Sequence, residues 1–402
     1  MSISLKEYVA RRERVFKSLK GAAAVVFAGE ESATLLGKWK TNRLFWYLTG
    51  IQNESGAAIL FDPSAENPKH QIVLFLRPLN PEVERWDGLR EEISPRLREQ
   101  LGFSAIIRNS SLPAFLTGAA RRAKKLACVH PFSVYPSAVS PDLEAYRKVS
   151  ERVPGVEIQD RSQLLYEMRA IKSQAELDLM KQAVTATDAG FDAAMKMIKP
   201  GVNEALIERT MEDAFRAHGG TGLAYNSIVG AGVNGTVLHY SANNTVVGPD
   251  DLIVIDAAAE VEGYCADVTR TFPASGKFTA EQREIYEIVL ASELAGIKAA
   301  RPGAHMVREV DKASRDVIEK AGYGHTFIHG IGHQLGIDVH DVTPDGTLKP
   351  GMVVTIEPGI YLPEKKFGVR IEDDILITAN GSVNLTGMIP KTIKAVEAAM
   401  AR

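Results

Sequence analysis

Along the first third of the chain, short apolar runs alternate with longer polar stretches of helix-forming residues. The runs Ala24–Phe27, Gly56–Phe61, Ile72–Leu76, Ala105–Ile107 and Lys125–Val129 read as strands, and Glu82–Leu101 and Leu112–Lys124 as helices. That alternation predicts an α/β domain over residues 1–158, with a linker in Gln159–Met168. Beyond it, Ser173 and Glu176 form a capping box before a helix whose apolar positions Leu177, Met180 and Val184 keep helical spacing. Pro200-Gly201 stops that helix. Asn203 caps the next one, which carries Leu206, Ile207, Met211, Ala214 and Phe215 on one face and ends at His218-Gly219-Gly220. Strands follow at Leu252–Asp256, Tyr264–Phe272, Val353–Ile356 and Val369–Thr378. Between them lie helices near Ala280–Ala300, opened by a second capping box of Thr279 and Gln282, and Val307–Ala321. Residues 159–402 therefore read as an α+β domain, helices covering one side of a mainly antiparallel sheet. In each half of this region helices precede a pair of strands bearing carboxylates, a pattern that hints at duplication.

Composition narrows the chemistry. In 402 residues, 45% are apolar and 24% charged, the balance of a globular chain, and 47 basic against 50 acidic side chains leave no global field to draw in nucleic acid or an anionic membrane. No apolar run reaches the roughly 18–20 residues of a membrane span. The charged segment Arg11-Arg12-Glu13-Arg14 follows the N-terminus without the apolar core of a secretory leader, so a cytoplasmic location is expected. The two cysteines, Cys128 and Cys265, lie far apart and outside any thiolate metal spacing; both read as buried small hydrophobes. Function must be sought in a local site.

Carboxylates inside apolar strands are the informative feature, because such groups normally sit in solvent. Asp256 ends Leu252-Ile253-Val254-Ile255. Asp267 stands eleven residues on, the spacing expected if neighbouring antiparallel strands present facing side chains. Glu357 ends Val353-Val354-Thr355-Ile356, and Glu372 stands within Gly368–Ile377. Any one of these could be a turn-capping or exposed acid. Four brought to one locus would repel, and at least one would be forced to protonate unless cations neutralised them.

Histidine supplies the second half of the pattern. Four of the nine histidines fall between His325 and His340, in His325-Thr326-Phe327-Ile328-His329-Gly330-Ile331-Gly332-His333 and the following Gln334–His340, where the glycines imply an irregular backbone able to bring imidazoles close to a pocket. His239, after the glycine-rich Val229–Gly235, is a further candidate; no Gly-Lys-Ser/Thr follows, so that stretch is not a P-loop. Asp256, Asp267, Glu357 and Glu372 with histidine nitrogen suit two divalent ions of harder character, manganese ahead of cobalt or zinc. A water shared by ions about 3.5–4 Å apart ionises near neutral pH and can attack a carbonyl. The expected chemistry is metal-assisted hydrolysis.

Five blocks in this order resemble the creatinase/aminopeptidase P, or pita-bread, family of metallopeptidases: Ile255–Glu260, Tyr264–Pro273, His329-Gly330-Ile331-Gly332-His333, Thr355–Tyr361 and Gly368–Asp374. Arg43–Gly50 and Glu84–Arg90 resemble the family's N-terminal domain. The resemblance implies a pita-bread catalytic domain preceded by a smaller creatinase-like α/β domain. It implies Asp256, Asp267, His333, Glu357 and Glu372 as metal ligands, with Asp267 and Glu372 bridging. It further implies that His239 and His340 contact substrate and stabilise the tetrahedral intermediate, that His329 lines the proline side, that Glu357 shuttles a proton, and that Tyr361 and Arg370 support the site. Because Arg370 and Glu372 are two apart, strand alternation puts them on one side, where the guanidinium can orient the carboxylate. The implied activity is hydrolysis of an N-terminal Xaa–Pro bond by a metal-bridging hydroxide, with proline-containing peptides as substrates and a homodimer or homotetramer as the assembly. An Xaa-Pro dipeptidase is the alternative; a metal-free creatinase-like hydrolase or a non-catalytic binding protein would require neutral residues at the ligand positions, and every one is retained.

Overall fold

A computed structural model describes residues 2–30 and 39–401, and the chain divides into two compact units, Ile3–Met168 and Arg169–Arg402. In the first unit, β1 (Ala24–Phe27), β2 (Ala58–Phe61), β3 (Ile72–Leu76) and β4 (Ala105–Arg108) form a sheet in that order, antiparallel except for the parallel β3–β4 pair. β5 (Lys125–Cys128) and β6 (Glu157–Asp160) pair in parallel, and a bridge from Ala23 to Leu126 sets β5 beside β1. Helices Leu112–Ala123 and Pro141–Ser150 cover the apolar side chains of this mixed sheet; buried Tyr146 accepts from Val25 N and donates to Ala127 O. The α/β reading holds.

One local expectation fails for an identifiable reason. The helix expected over Glu82–Leu101 is two helices, Pro81–Asp87 and Pro95–Leu101. Gly88 at φ +96° closes the first, and Ser94 with Pro95 opens the second, so turn chemistry overrides the run of helix formers. Gln159–Met168, read as the linker, contains the end of β6 and most of helix Ser162–Ala170.

The second unit carries β7 (Gly222–Leu223), β8 (Ile228–Ala231), β9 (Leu252–Asp256), β10 (Ala259–Val261), β11 (Tyr264–Cys265), β12 (Thr269–Pro273), β13 (Val353–Ile356), β14 (Gly359–Leu362), β15 (Phe367–Arg370), β16 (Asp373–Thr378) and β17 (Gly381–Asn384). Every strand pair is antiparallel, in the orders β8-β9-β12, β13-β16-β17, β14-β15 and β7-β10-β11. Both capping boxes form, opening helices Gln174–Met197 and Ala280–Ala299. With helices Glu204–Ala217 and Lys312–Lys320 they bury one face of the strands, and a single apolar core runs from Phe191 and Phe215 through Ile253 and Phe272 to Ile356 and Val369.

The two long strands expected around Asp267 and Glu372 are each interrupted at the acid. Asp256 is the last residue of β9, but Asp267 lies between β11 and β12, Glu357 between β13 and β14, and Glu372 between β15 and β16. Their amides find partners off the ladder: Asp267 N donates to Asp374 Oδ2 at 3.2 Å, Glu357 N to Ile331 O at 2.9 Å and Glu372 N to Thr269 O at 3.0 Å. Leaving the ladder satisfies these backbone groups while freeing three carboxylates to turn toward one point.

Candidate active site

One cavity of about 540 Å³ opens where these breaks converge. Asp256, Asp267, Glu357, Glu372, His239, His329, His333, His340 and Arg370 all line it. Tyr361 does not; it lies behind the wall, its hydroxyl 2.8 Å from His329 Nε2 and accepting from Arg370 Nη1 at 3.1 Å. His325, by contrast, sits exposed in a short 3₁₀ turn outside the cavity lining.

His333 Nδ1 lies 3.0 Å from Gln334 O, to which Nδ1–H donates, so Nε2 is the nitrogen left to face the cavity. Nε2 faces Asp267 Oδ2 at 3.4 Å and Glu357 Oε1 at 3.5 Å. Donor atoms of Asp267, His333 and Glu372 lie within 4.8 Å of one another. Tyr225 adds a second crowding: its single hydroxyl is 2.6 Å from both Asp256 Oδ1 and Asp267 Oδ1, and one proton cannot serve both oxygens. An arrangement of carboxylates this tight around one imidazole nitrogen fits positive charge at its centre.

The electrostatics agree. Burial pushes Glu372 well above the usual carboxylate range, and the charges of Asp267, Glu357 and Asp256 add to it. Burial likewise raises Asp256, against the pull of Arg370, and raises Glu357 to about 7. His333 is opposed by burial yet driven up to about 9 by Asp267 and Glu357. Protons are thus drawn to the positions where divalent ions would otherwise hold the charge balance, and the mixed carboxylate and imidazole donors suit such ions.

Arg370 is the one arginine on this wall, and its partner differs from the expected one. Its Nη2 pairs with Asp256 Oδ2 at 2.7 Å, whereas Glu372 is reached only through Thr269, whose hydroxyl accepts from Arg370 Nε at 3.0 Å and donates to Glu372 Oε2 at 2.6 Å. The register explains this: Thr269 stands opposite Asp256 at the end of the β9–β12 ladder, and Arg370 N donates to Thr271 Oγ1 at 3.1 Å, which sets β15 beside β12. On the far side, buried Asp341 is held by Arg169 at 2.5 Å and faces Lys172 at 3.6 Å, fixing the chain next to His340. The His340 ring lies against that of His333, centroids 4.1 Å apart and planes tilted by 54°, and burial and the His333 charge lower its pKa. His329 is lowered to about 4 by burial; its Nδ1 faces Gly330 O at 2.8 Å, so Nε2 accepts from Tyr361 and the ring is neutral.

Tyr225, Thr269 and Thr355 were not expected. Thr355 Oγ1 accepts from His333 N at 3.0 Å and lies 3.3 Å from Glu357 Oε1. Hydroxyl residues carry no signal of chemistry by type; cross-strand register identifies Thr269 and Thr355, and the bend between β7 and β8 brings in Tyr225.

Comparison with known proteins identifies the family. The profile of metallopeptidase family M24 covers residues 178–379, and that of the aminopeptidase P N-terminal domain covers residues 8–128. The Xaa-Pro aminopeptidase of Escherichia coli (strain K12) is 35% identical over 99% of this chain and 98% of its own length. Among solved structures, a putative aminopeptidase P from Bacillus anthracis superposes with a TM-score of 0.90 at 29% identity, covering 99% of both chains. Aminopeptidase P from E. coli with the inhibitor Pro-Leu superposes at 0.87 and 32% identity, covering 100% of this chain and 99% of that one. The pita-bread catalytic domain and the smaller domain before it are therefore both accounted for, and the chain belongs to metallopeptidase family M24.

Proposed function

We propose that the protein is an Xaa-Pro aminopeptidase holding two divalent ions, manganese by preference, on Asp256, Asp267, His333, Glu357 and Glu372. The observation that carries the reading is the convergence of these five donors in one cavity beside three further histidines. Bound ions would supply carbonyl polarisation and an acidified water, the chemistry a tertiary amide requires.

The chain's own residues do the remainder. The Xaa–Pro nitrogen has no hydrogen and leaves only when protonated, and Glu357, at the cavity wall, carries a proton from the attacking water to that nitrogen. His239 and His340 donate to the carbonyl oxygen as charge builds on it. His329, neutral and with both ring nitrogens engaged by Gly330 and Tyr361, offers a ring face to proline rather than a hydrogen bond; Phe327 packs edge-on against it at 5.0 Å. Arg370 and Thr269 hold Asp256 and Glu372 in place.

The full-length relatives and the N-terminal domain match favour aminopeptidase over dipeptidase. A panel of Xaa-Pro dipeptides, Xaa-Pro-Xaa tripeptides and longer peptides, run with manganese, cobalt and zinc, tests this. Cleavage of the tripeptide before proline is expected; cleavage of the dipeptide alone would make it a dipeptidase, and cleavage of neither would refute the reading. The proposal extends to a homodimer or homotetramer, since Trp86 and Leu89 leave 88% and 91% of their surface uncovered, and to the cytoplasm, where the two free cysteines would stay reduced. Among the described residues no helix is long and apolar enough to cross a membrane.

A further inference from the structure

The connection between β8 and β9 forms the wall of the cavity that carries His239; Gly232, Gly235 and Val247 are buried in it, but the stretch on either side of His239 is open to solvent. It contains one 3₁₀ segment, Gly232–Thr236, and no strand, and Val233, Val237 and Val246 remain 49%, 52% and 59% exposed. His239 itself is exposed at the tip. Hydrogen bonds tie it down: buried Asn243 accepts from Val229 N at 3.0 Å and donates to Ser227 O at 2.7 Å and Glu208 Oε1 at 2.9 Å, and a second carboxylate, Glu204, gathers both stems. Glu204, the first residue of helix Glu204–Ala217, is completely buried. Its Oε1 accepts from Ala231 N at 2.7 Å and Asn234 Nδ2 at 3.1 Å, on the entering stem. Its Oε2 accepts from Thr245 N at 2.8 Å on the leaving stem and from the hydroxyl of Tyr240, the neighbour of His239, at 3.0 Å. Asn234 Nδ2 ties the same groups together, 3.1 Å from Tyr240 Oη and 2.9 Å from Thr245 Oγ1.

We infer that Glu204 is the positioning residue of the His239 wall: its buried carboxylate joins both stems of the connection and the residue after His239, and so fixes where that imidazole stands over the cavity. Four donors converging on one anion make strong, directional bonds, and an amide in its place would set an N–H against at least one of them. The inference rests on the reading of His239 as a substrate contact. It concerns a residue outside the cavity, for which neither its acidity nor its position beside a helix cap announces a role.

Two readouts test it in the metal-loaded full-length protein. Hydrogen exchange of the segment 232–245 should quicken about tenfold in Glu204→Gln, with metal content unchanged, because buried amides lose their acceptor. For an Xaa-Pro-Xaa tripeptide, kcat/KM should fall about tenfold on Glu204→Gln in the native background and less than about twofold in a His239→Ala background, since coupled residues are non-additive. If Glu204→Gln does not fold, Asn234→Ala, which leaves the carboxylate in place, should give the same two effects at smaller size. Unchanged exchange would overturn the anchoring, and equal kinetic losses in both backgrounds would overturn action through His239. If the native protein cleaves no Xaa-Pro peptide, the functional reading fails by itself, and the exchange result still decides whether Glu204 anchors the wall.

Discussion

Thr269 has one hydroxyl and two tasks: it accepts from Arg370 and donates to Glu372, and among the described residues no other side chain hydrogen-bonds to both. Thr269→Val keeps the shape and removes both bonds. Metal affinity should fall about 10–100-fold, as expected for loss of a group that orients a ligand, and Thr269→Ser should restore most of it; equilibrium binding of Mn²⁺ reads the change, and an unaltered affinity would reject the assignment. Tyr361→Phe acts differently, freeing His329 Nε2 and leaving Arg370 Nη1 without this acceptor. The expected outcome is a raised KM for proline peptides with metal content retained. At this scale the acids and histidines were legible because their residue types carry chemistry wherever they stand. Thr269, Thr355 and Tyr225 were not, since threonine and tyrosine are ordinary strand residues and only the fold carries Tyr225 to Asp256 and Asp267.

Among the elements, the segment from His329 to His333 depends on the close approach of its backbone to β13. A Cβ on Gly332 would lie 2.1 Å from Thr355 O and 2.6 Å from Thr355 Oγ1, the atom that holds His333 N and faces Glu357. Gly332→Ala should therefore cost about 1–3 kcal/mol of stability by overpacking and weaken metal uptake together, measured by denaturant unfolding and by metal titration. An alanine variant with wild-type unfolding would show that the two segments separate freely. Capping boxes were readable from sequence because they are local: Ser173 with Glu176, and Thr279 with Gln282, each close within one turn. The interruptions at Asp267 and Glu372 were not, because the apolar alternation runs straight through both and the partners of their amides lie far away in the chain.

For the molecule as a whole, two places of buried charge govern the response to pH and to metal. Beneath the strands, Arg270 and Asp373 are fully buried and paired at 2.7 Å, and Lys391 links Asp373 to Glu293. Burial and the charge of Asp373 push Glu293 up to about 8, far above its unfolded value. The folded protein thus binds a proton that the unfolded chain has released between about pH 4.5 and 8, so this group's contribution to stability is full at low pH and is lost as pH rises through that window. Glu293→Gln should flatten the fall in melting temperature between pH 5 and 8; an identical slope in both proteins would contradict it. Such buried ions read in the sequence as ordinary surface charge, which is why this network escaped prediction although the apolar strands around it did not.

The second place is the cavity, where four carboxylates and His333 stand too close to remain as they are without added positive charge. Ions that bind only the folded chain must stabilise it, so removing them with a chelator should lower the melting temperature. The most direct test is titration of the metal-stripped protein with Mn²⁺, counting ions bound while recording folding and Xaa-Pro hydrolysis. Uptake of about two ions per chain, restoring activity and lost in Asp267→Ala and Glu372→Ala, is the predicted result. A folded protein that takes up none, or that hydrolyses Xaa-Pro peptides undiminished with no metal present by elemental analysis, would contradict the account.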